Sequence, residues 1–279
     1  LNLAASFNGL AATLAPIVGS RIILIEGVSD EQLSTMSTSA QQLTLAAEAS
    51  SVKTPYLVLG SIILLITVIF VFLKLPEIKE SEAAEGEKKG IVDALRHRHL
   101  RWAVVAQFFY VGAQVCVLSL FVLYATKAVG FDKQEAADYA GYGMGLAFLI
   151  GRIVGTSLMK FIKAELLLVI FAVICIAFCV VAILGMGTIA LVAVTGVAFF
   201  MSIMFPTIFS LGIKDLGSDT KYGSSLIIMS IVGGAILPLL MGHISDLSSI
   251  QIGYVVPLFC FVVVLLFGLT GHKVYKITK

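Results

Sequence analysis

The sequence predicts an all-α polytopic membrane protein, on the evidence of its composition and of its long apolar runs. Of the 279 residues, 59% are apolar and 13% are charged, and the mean hydropathy is +1.03. Soluble domains carry about 25% charged residues, so the charge here is too sparse to cover a water-exposed surface. This composition excludes a soluble enzyme, a disordered tail and a nucleic-acid-binding protein.

Eight apolar runs have the length of a transmembrane helix, which needs about 20 residues. They lack the alternation of apolar and polar residues that barrel strands show, so we predict helices. The predicted spans are residues 3–25, 55–73, 102–125, 140–160, 164–185, 188–210, 222–242 and 253–271.

Basic residues set the predicted orientation, because loops rich in Lys and Arg stay on the cytoplasmic side. Fifteen basic residues fall on one side of the predicted spans and three on the other, with Arg21 near the outer end of the first span. We therefore expect both ends of this chain to face the cytoplasm. The fifteen are Lys74, Lys79, Lys88, Lys89, Arg96, Arg98, Arg101, Arg152, Lys160, Lys163, Lys214, Lys221, Lys273, Lys276 and Lys279; the three are Lys53, Lys127 and Lys133.

The loops divide the chain into a two-span block, residues 1–73, and a six-span block, residues 102–279. Between them, residues 74–101 are polar and mixed in charge, which predicts a cytoplasmic linker. Residues 26–54 are rich in Ser, Thr and Gln and are expected to form an outer loop with a short helix near 39–49. The chain opens inside an apolar helix without a Met or a leader, so we expect it to be part of a longer protein.

The predicted spans carry little chemistry of the kind that enzymes use. No carboxylate falls at the centre of a span, and we predict neither a metal site nor enzymatic activity. His97 and His99 alternate with arginines, and we expect both to be solvated in the basic linker. The cysteines fall in apolar runs, where they are expected to behave as small hydrophobic residues; they are Cys116, Cys175, Cys179 and Cys260.

Polar side chains follow one face of the third predicted span. Gln107, Tyr110 and Gln114 are spaced i, i+3 and i+7, which aligns them on one side of a helix. Such groups are costly to leave in lipid, so this face either bridges helices through hydrogen bonds or lines a polar cavity. Asn8 gives the first span a similar polar face, and Arg152 either reaches the cytoplasmic interface or faces a cavity or inner gate.

Glycine and proline supply a second pattern. The fourth predicted span contains GYGMG at residues 141–145, and Pro206 and Pro238 fall inside the sixth and seventh. Small residues allow close helix contact, and proline within a span loosens the backbone at a bend. The pattern fits generic packing, and it also fits helices that rock about a central site.

Several strings resemble the fucose–galactose–glucose:proton symporter family of the major facilitator superfamily. They occur in the order of the family and run along nearly the whole chain. They are LNLAASFNG (1–9), KTPY (53–56), RWAVVAQFFYVGAQ (101–114), IGRIVGTSL (150–158), FPTIFSLGIKDLGSDTKYGSS (205–225) and IVGGAILPLLMG (231–242).

The resemblance implies a twelve-helix transporter of the bacterial inner membrane, of which this chain supplies the fifth to twelfth helices. It implies proton symport of a hexose or deoxyhexose by alternating access, with the proton as coupling ion, no cofactor, and a monomer in the lipid bilayer. The carboxylates credited with coupling lie on the family's first and fourth helices. We therefore expect this chain to be an incomplete copy that does not transport by itself.

The resemblance also indicates site residues. Its fucose permeases carry a glutamine in place of Ala5 and a tyrosine in place of Phe205, which implies a changed sugar preference. A transporter of another small solute and a non-transporting receptor or scaffold are the alternatives. The expected substrate-binding residues are Asn8, Gln107, Tyr110, Gln114 and Tyr142, and the expected cavity or gate residues are Arg152 and Phe205.

Overall fold

A computed structural model of the protein describes most of the chain as helix, and no strand occurs among the residues described. The first predicted span, 3–25, is outside this set except for five positions, and so is the linker from 74 to 90. The chain divides into two compact units, one holding residues 35–73 of the described chain and the other residues 91–274. The described residues are 11, 14–15, 18–19, 35–73 and 91–274.

Residues 35–73, the continuous described stretch of the smaller unit, contain two helices. Helix α1, Thr38–Ser51, lies where a short helix is predicted in the outer loop, and α2 is Lys53–Phe72. Helix α2 is apolar on every side, and none of its side chains is buried among the described residues. A helix that is apolar all round is typical of a membrane span.

The larger unit is a bundle of six helices long and apolar enough to cross a membrane. With α2, the described residues contain seven such helices, which confirms the all-α polytopic fold class. A short helix, α3 (Ile91–Ala94), precedes the bundle, and Phe121–Tyr124 and Ala125–Val129 extend α4. The six are α4 Arg98–Ser119, α5 Lys133–Leu158, α6 Ala164–Leu184, α7 Gly187–Gly212, α8 Gly217–Leu247 and α9 Ile250–Gly271.

Several helices begin earlier than the apolar runs predict, α4 and α5 among them. Helix α5 begins at Lys133 rather than at residue 140, because Asp132 forms a capping box with Glu135. The Asp132 carboxylate accepts a hydrogen bond of 2.7 Å from the Glu135 backbone N–H. Helix α4 begins at Arg98 rather than at 102, because Leu100 already belongs to the buried core.

Helix α4 lies at the centre of the bundle. It packs against α7, α8 and α9, while α6 packs against α7 and α9 and α5 packs mainly against α7. The largest fully buried side chains lie in this interior. Among them are Tyr110, Phe121, Tyr124, Tyr254 and Phe261.

Glycines allow the closest helix contacts. A Cβ atom at Gly151 of α5 would collide with the backbone carbonyl of Phe199 in α7. One at Gly233 of α8 would collide with the carbonyl of Phe108 in α4. Both pairs of backbones meet only because these residues have no side chain, which supports the packing interpretation of the small residues.

The four cysteines are buried and unpaired, as the sequence predicts. They lie in three helices of the bundle interior. Cys116 belongs to α4, Cys175 and Cys179 to α6, and Cys260 to α9.

The two histidines before and within α4 are buried or partly buried, so the prediction that both are solvated was wrong. His99 is 1% exposed, and its Nε2 donates to the carbonyl of Lys214 at 2.9 Å. The Nε2 of His97 lies 3.2 Å from a carboxylate oxygen of Asp219. The reason is tertiary: the loop between α7 and α8 covers the start of α4. We call this end of the bundle, with Lys214 and Asp219, the basic end.

Candidate functional site

Helix α7 is interrupted in the middle, and Pro206, just after the interruption, leaves one backbone carbonyl without its helical hydrogen bond. Its two halves are Gly187–Met201 and Met204–Gly212. Pro206 has no N–H, so the carbonyl four residues earlier, that of Ser202, lacks its helical donor. A free carbonyl in a bundle interior needs a partner from elsewhere.

Arg152 of α5 supplies that partner. Its Nε and Nη2 atoms both donate to the Ser202 carbonyl, at 3.2 and 3.1 Å. The guanidinium carbon lies 5.0 Å from the centre of the Phe148 ring, within the range of a cation–π contact. A charged side chain of one helix thus satisfies the carbonyl that proline frees in another.

Tyr110 of α4 holds the adjacent residue. Its hydroxyl donates to the Met201 carbonyl at 2.9 Å, and its side chain is fully buried. Its ring meets the edge of Phe205, with centroids 6.4 Å apart. We call Tyr110, Arg152 and the carbonyls of Met201 and Ser202 the α7 clamp.

Two glutamines continue the polar face of α4. Gln107 is 0% exposed, yet within the described chain neither its amide nitrogen nor its oxygen has a hydrogen-bond partner. Leaving such a group unsatisfied costs about 1–3 kcal/mol. Gln114, two turns further on, is half-buried. The face therefore offers amide groups that hydroxyl groups could satisfy.

Tyr142, another predicted site residue, is not part of this group. Tyr142 is 54% exposed on the π-helical turn Ala140–Gly145. It lies ten residues before Arg152, or about 15 Å along the helix. It lines a separate cleft of about 360 Å³ with Tyr139 and Glu135. Asn8 lies outside the described residues.

Charged groups are scarce around the clamp. In residues 35–73 and 91–274, the carboxylates whose side chains are described lie near helix ends or in loops, as Glu165 and Asp246 do. No group of three or more potential metal ligands occurs in that part of the chain. The chemistry available among the described side chains of the clamp and the α4 face is hydrogen bonding by amides, a phenol and one guanidinium, which suits the binding of a polar solute.

The sequence profile of the Major Facilitator Superfamily matches residues 1–221 of this chain. That is well over half of its length. The chain belongs to the Major Facilitator Superfamily.

Relatives of this major facilitator chain include two sugar transporters. It is 38% identical over 276 residues to the L-fucose-proton symporter of Escherichia coli K12, covering 96% of this chain and 63% of that protein. It is 35% identical over 275 residues to a glucose/galactose transporter of Brucella abortus, covering 98% and 63%. The chain thus spans less than two thirds of the length of either relative.

A solved structure has the same fold. The crystal structure of the E. coli fucose:proton symporter FucP, in a form with one residue substituted, superimposes with a TM-score of 0.72 at 36% identity. The match covers 97% of this chain and 68% of that one. The fold of this chain is therefore the major facilitator fold.

The structure brings together Gln107, Tyr110, Arg152 and Phe205 of this major facilitator chain, and it adds the Ser202 carbonyl, which sequence reasoning missed as a partner of Arg152. Pro206 carries a signal that could have revealed it, because a proline frees the carbonyl four residues before it. Which side chain would reach that carbonyl depends on the packing of α5 against α7, and the sequence does not encode it locally.

Proposed function

We propose that this protein is a secondary transporter that carries a hexose or deoxyhexose together with a proton by alternating access. Its membership of the Major Facilitator Superfamily and its likeness to an L-fucose-proton symporter and to a glucose/galactose transporter support this proposal. The protein would work as a monomer in the bacterial inner membrane, with both ends of this chain in the cytoplasm and with no cofactor.

The observation that carries the proposal is the polar face of α4 beside the α7 clamp. Sugars present several hydroxyl groups, each able to donate and accept hydrogen bonds. The half-buried amide of Gln114 and the unsatisfied amide of Gln107 have the complementary groups. We propose that Gln114 contacts the sugar directly, that Asn8 adds a second amide, and that Gln107 joins when the bundle opens.

The clamp has a different task in this proposal. The Tyr110 hydroxyl is already bonded to Met201, and the Arg152 guanidinium to Ser202. We propose that both residues act by positioning the bend of α7 next to the sugar, with Phe205 and Tyr142 as weaker contacts. Alternating access needs a bend that can hold two arrangements, and the clamp would stabilise one of them.

Proton coupling requires a carboxylate that the described spans do not supply. The carboxylates described in residues 35–73 and 91–274 lie near the ends of helices or in loops. Intramembrane carboxylates are the usual proton carriers of transporters. We therefore propose that the coupling group belongs to another part of the protein.

Uptake into proteoliposomes tests this function. The full-length protein is reconstituted, and uptake of radiolabelled L-fucose, D-galactose and D-glucose is measured with and without an inward proton gradient. We expect saturable uptake of at least one of them, driven by the gradient. Sugar uptake that does not depend on the gradient would contradict proton coupling. Sugar binding without counterflow would favour a receptor. Competition by non-sugar solutes would favour a transporter of another substrate class.

Replacing Gln114 by Ala tests the proposed sugar contact. The loss of one hydrogen bond to a neutral hydroxyl, worth about 1 kcal/mol, is expected to raise the KM for sugar about five-fold. Ser119→Ala is the matched control, since Ser119 is an exposed polar residue on the same helix. Unchanged transport kinetics in Gln114→Ala would make Gln114 a packing residue.

A further inference from the structure

A cleft of about 440 Å³ opens at the basic end of the bundle, away from the α7 clamp. Three helix ends form it: the first turn of α6 with Glu165, the residues after α7 with Lys214 and Asp215, and the end of α9 with Lys273. Because these are the ends of membrane-spanning helices, the cleft lies at the level of lipid headgroups.

Charges of both signs line this cleft without pairing. Within the described part of the chain, no ion pair or hydrogen bond involves the side chains of Glu165, Lys214, Asp215 or Lys273. Lys214, Asp215 and Lys273 are exposed and Glu165 is half-buried. Two carboxylates and two ammonium groups therefore face one cavity with their charges available.

The backbone at Lys214 and Asp215 is held in place by a residue of the bundle interior. The buried Nε2 of His99 donates to the carbonyl of Lys214 at 2.9 Å. Leu211, 7% exposed, forms an apolar part of the wall. A preorganised cleft with an apolar wall and opposite charges at its mouth suits an amphipathic ligand.

We propose that this cleft binds the headgroup of a zwitterionic aminophospholipid, with its phosphate on Lys214 and Lys273 and its ammonium on Glu165 and Asp215. Basic pockets at the ends of membrane helices bind lipid phosphates. A purely anionic headgroup would meet two carboxylates of its own sign. A choline headgroup has no N–H to donate to them, so a primary ammonium is the better fit.

Native mass spectrometry of the full-length protein tests this inference. The protein is titrated with phosphatidylethanolamine, phosphatidylglycerol and phosphatidylcholine that have identical acyl chains. We expect phosphatidylethanolamine to be retained several-fold more tightly than either of the others. Equal retention of all three lipids, or a preference for phosphatidylglycerol, would overturn the proposal.

Variants assign the binding to this cleft. Replacing Lys214 and Lys273 by Ala is expected to weaken phosphatidylethanolamine binding about five-fold for each lysine. Glu165→Gln is expected to reduce the preference over phosphatidylcholine and leave the phosphate contact, and the double variant with Asp215→Asn is expected to erase that preference. Lys160→Ala is the matched control, because Lys160 is an exposed basic residue at the same end that does not line the cleft.

Three results would contradict this assignment: a double variant that binds like the parent, a control that loses binding equally, or displacement of the lipid by a synthetic peptide of residues 74–90. Displacement by that peptide would indicate that the occupant of the cleft is the chain's own linker and not a lipid. Melting temperatures of the variants are measured alongside, and no change is expected for the exposed Lys214 and Lys273. Because sugar uptake is not a readout, failure of this inference is distinct from failure of the proposed function.

Discussion

Pro206 and Pro238, two of the three prolines in the membrane helices of the bundle, have different surroundings. Pro206 lies just after a break in α7, and the carbonyl that it frees accepts two hydrogen bonds from Arg152. Pro238 lies within the unbroken last segment of α8, Gly233–Leu247. The carbonyl that it frees is that of Gly234. A Cβ atom at Gly234 would meet the side chains of Val111 and Val115, which carry no hydrogen-bond donor.

The difference is between a proline whose freed carbonyl is bonded by a neighbouring helix and a proline within a continuous helical segment. On sequence alone the two prolines fall at comparable places in their spans and predict the same behaviour. In the structure, the α7 bend is tied to α4 by Tyr110 and to α5 by Arg152. A change in the bend of α7 therefore requires α4 and α5 to respond, whereas the described side chains of the segment Gly233–Leu247 around Pro238 form no such hydrogen bond to another helix.

Of the variants that test this comparison, Arg152→Ala is expected to change stability and sugar uptake the most. It removes both donors from the Ser202 carbonyl and leaves that carbonyl unsatisfied, at a cost of about 2 kcal/mol in the free energy of unfolding. Sugar uptake is expected to fall at least about ten-fold. Thermal unfolding in detergent and proteoliposome uptake measure the two effects.

Arg152→Lys sharpens the same prediction. A lysine keeps the charge but cannot donate from two atoms in the fork geometry of a guanidinium. We expect it to recover part of the stability and little of the uptake. Wild-type behaviour of Arg152→Ala in both assays would show that the Ser202 carbonyl needs no clamp.

Tyr110→Phe is expected to have a smaller effect. It deletes the hydrogen bond to Met201 and keeps the ring against Phe205, with a loss of about 1 kcal/mol in stability. Tyr124→Phe is the matched control, because the buried Tyr124 hydroxyl donates to the Ala182 carbonyl at 2.7 Å, away from the break. Both variants should lose similar stability, and only Tyr110→Phe should slow uptake; equal uptake in the two would contradict the clamp.

Replacing each proline by alanine gives the smallest effect and the most direct comparison. In Pro238→Ala, the new N–H can satisfy the Gly234 carbonyl, and we expect a gain of about 1 kcal/mol, or about 3 °C in Tm. In Pro206→Ala, the Ser202 carbonyl is already satisfied by Arg152, so the gain should be less than half as large. Equal gains in Tm for the two variants would contradict the difference drawn between the two prolines.

The sequence predicts the spans well and their ends less well, for a physical reason. Apolar runs locate the six helices of the bundle because lipid selects for hydropathy. Hydropathy does not reveal the polar first turn of α5, which begins at Lys133. The capping box could have predicted it, because Asp132 and Glu135 have the required spacing of three residues. The start of α8 at Gly217, ahead of the predicted 222, has the same origin in a polar turn.

The sequence predicts the polar face of the candidate site but not the contacts between its helices. Helical spacing predicts the polar face of Gln107, Tyr110 and Gln114, because it is a local property. That Tyr110 donates to Met201 and Arg152 to Ser202 depends on how α4, α5 and α7 pack. The burial of His99 was missed for the same reason, since Lys214, its partner, is 115 residues away in the chain.

The burial of the four cysteines has a practical consequence for following motion in this protein. The chain contains four cysteines in all, and each of them is enclosed in the bundle interior. A water-soluble maleimide should therefore label the folded wild-type chain very slowly. A single reporter thiol, placed at Ser119 or at Tyr142, could then carry a fluorophore or a spin label without prior removal of any native cysteine.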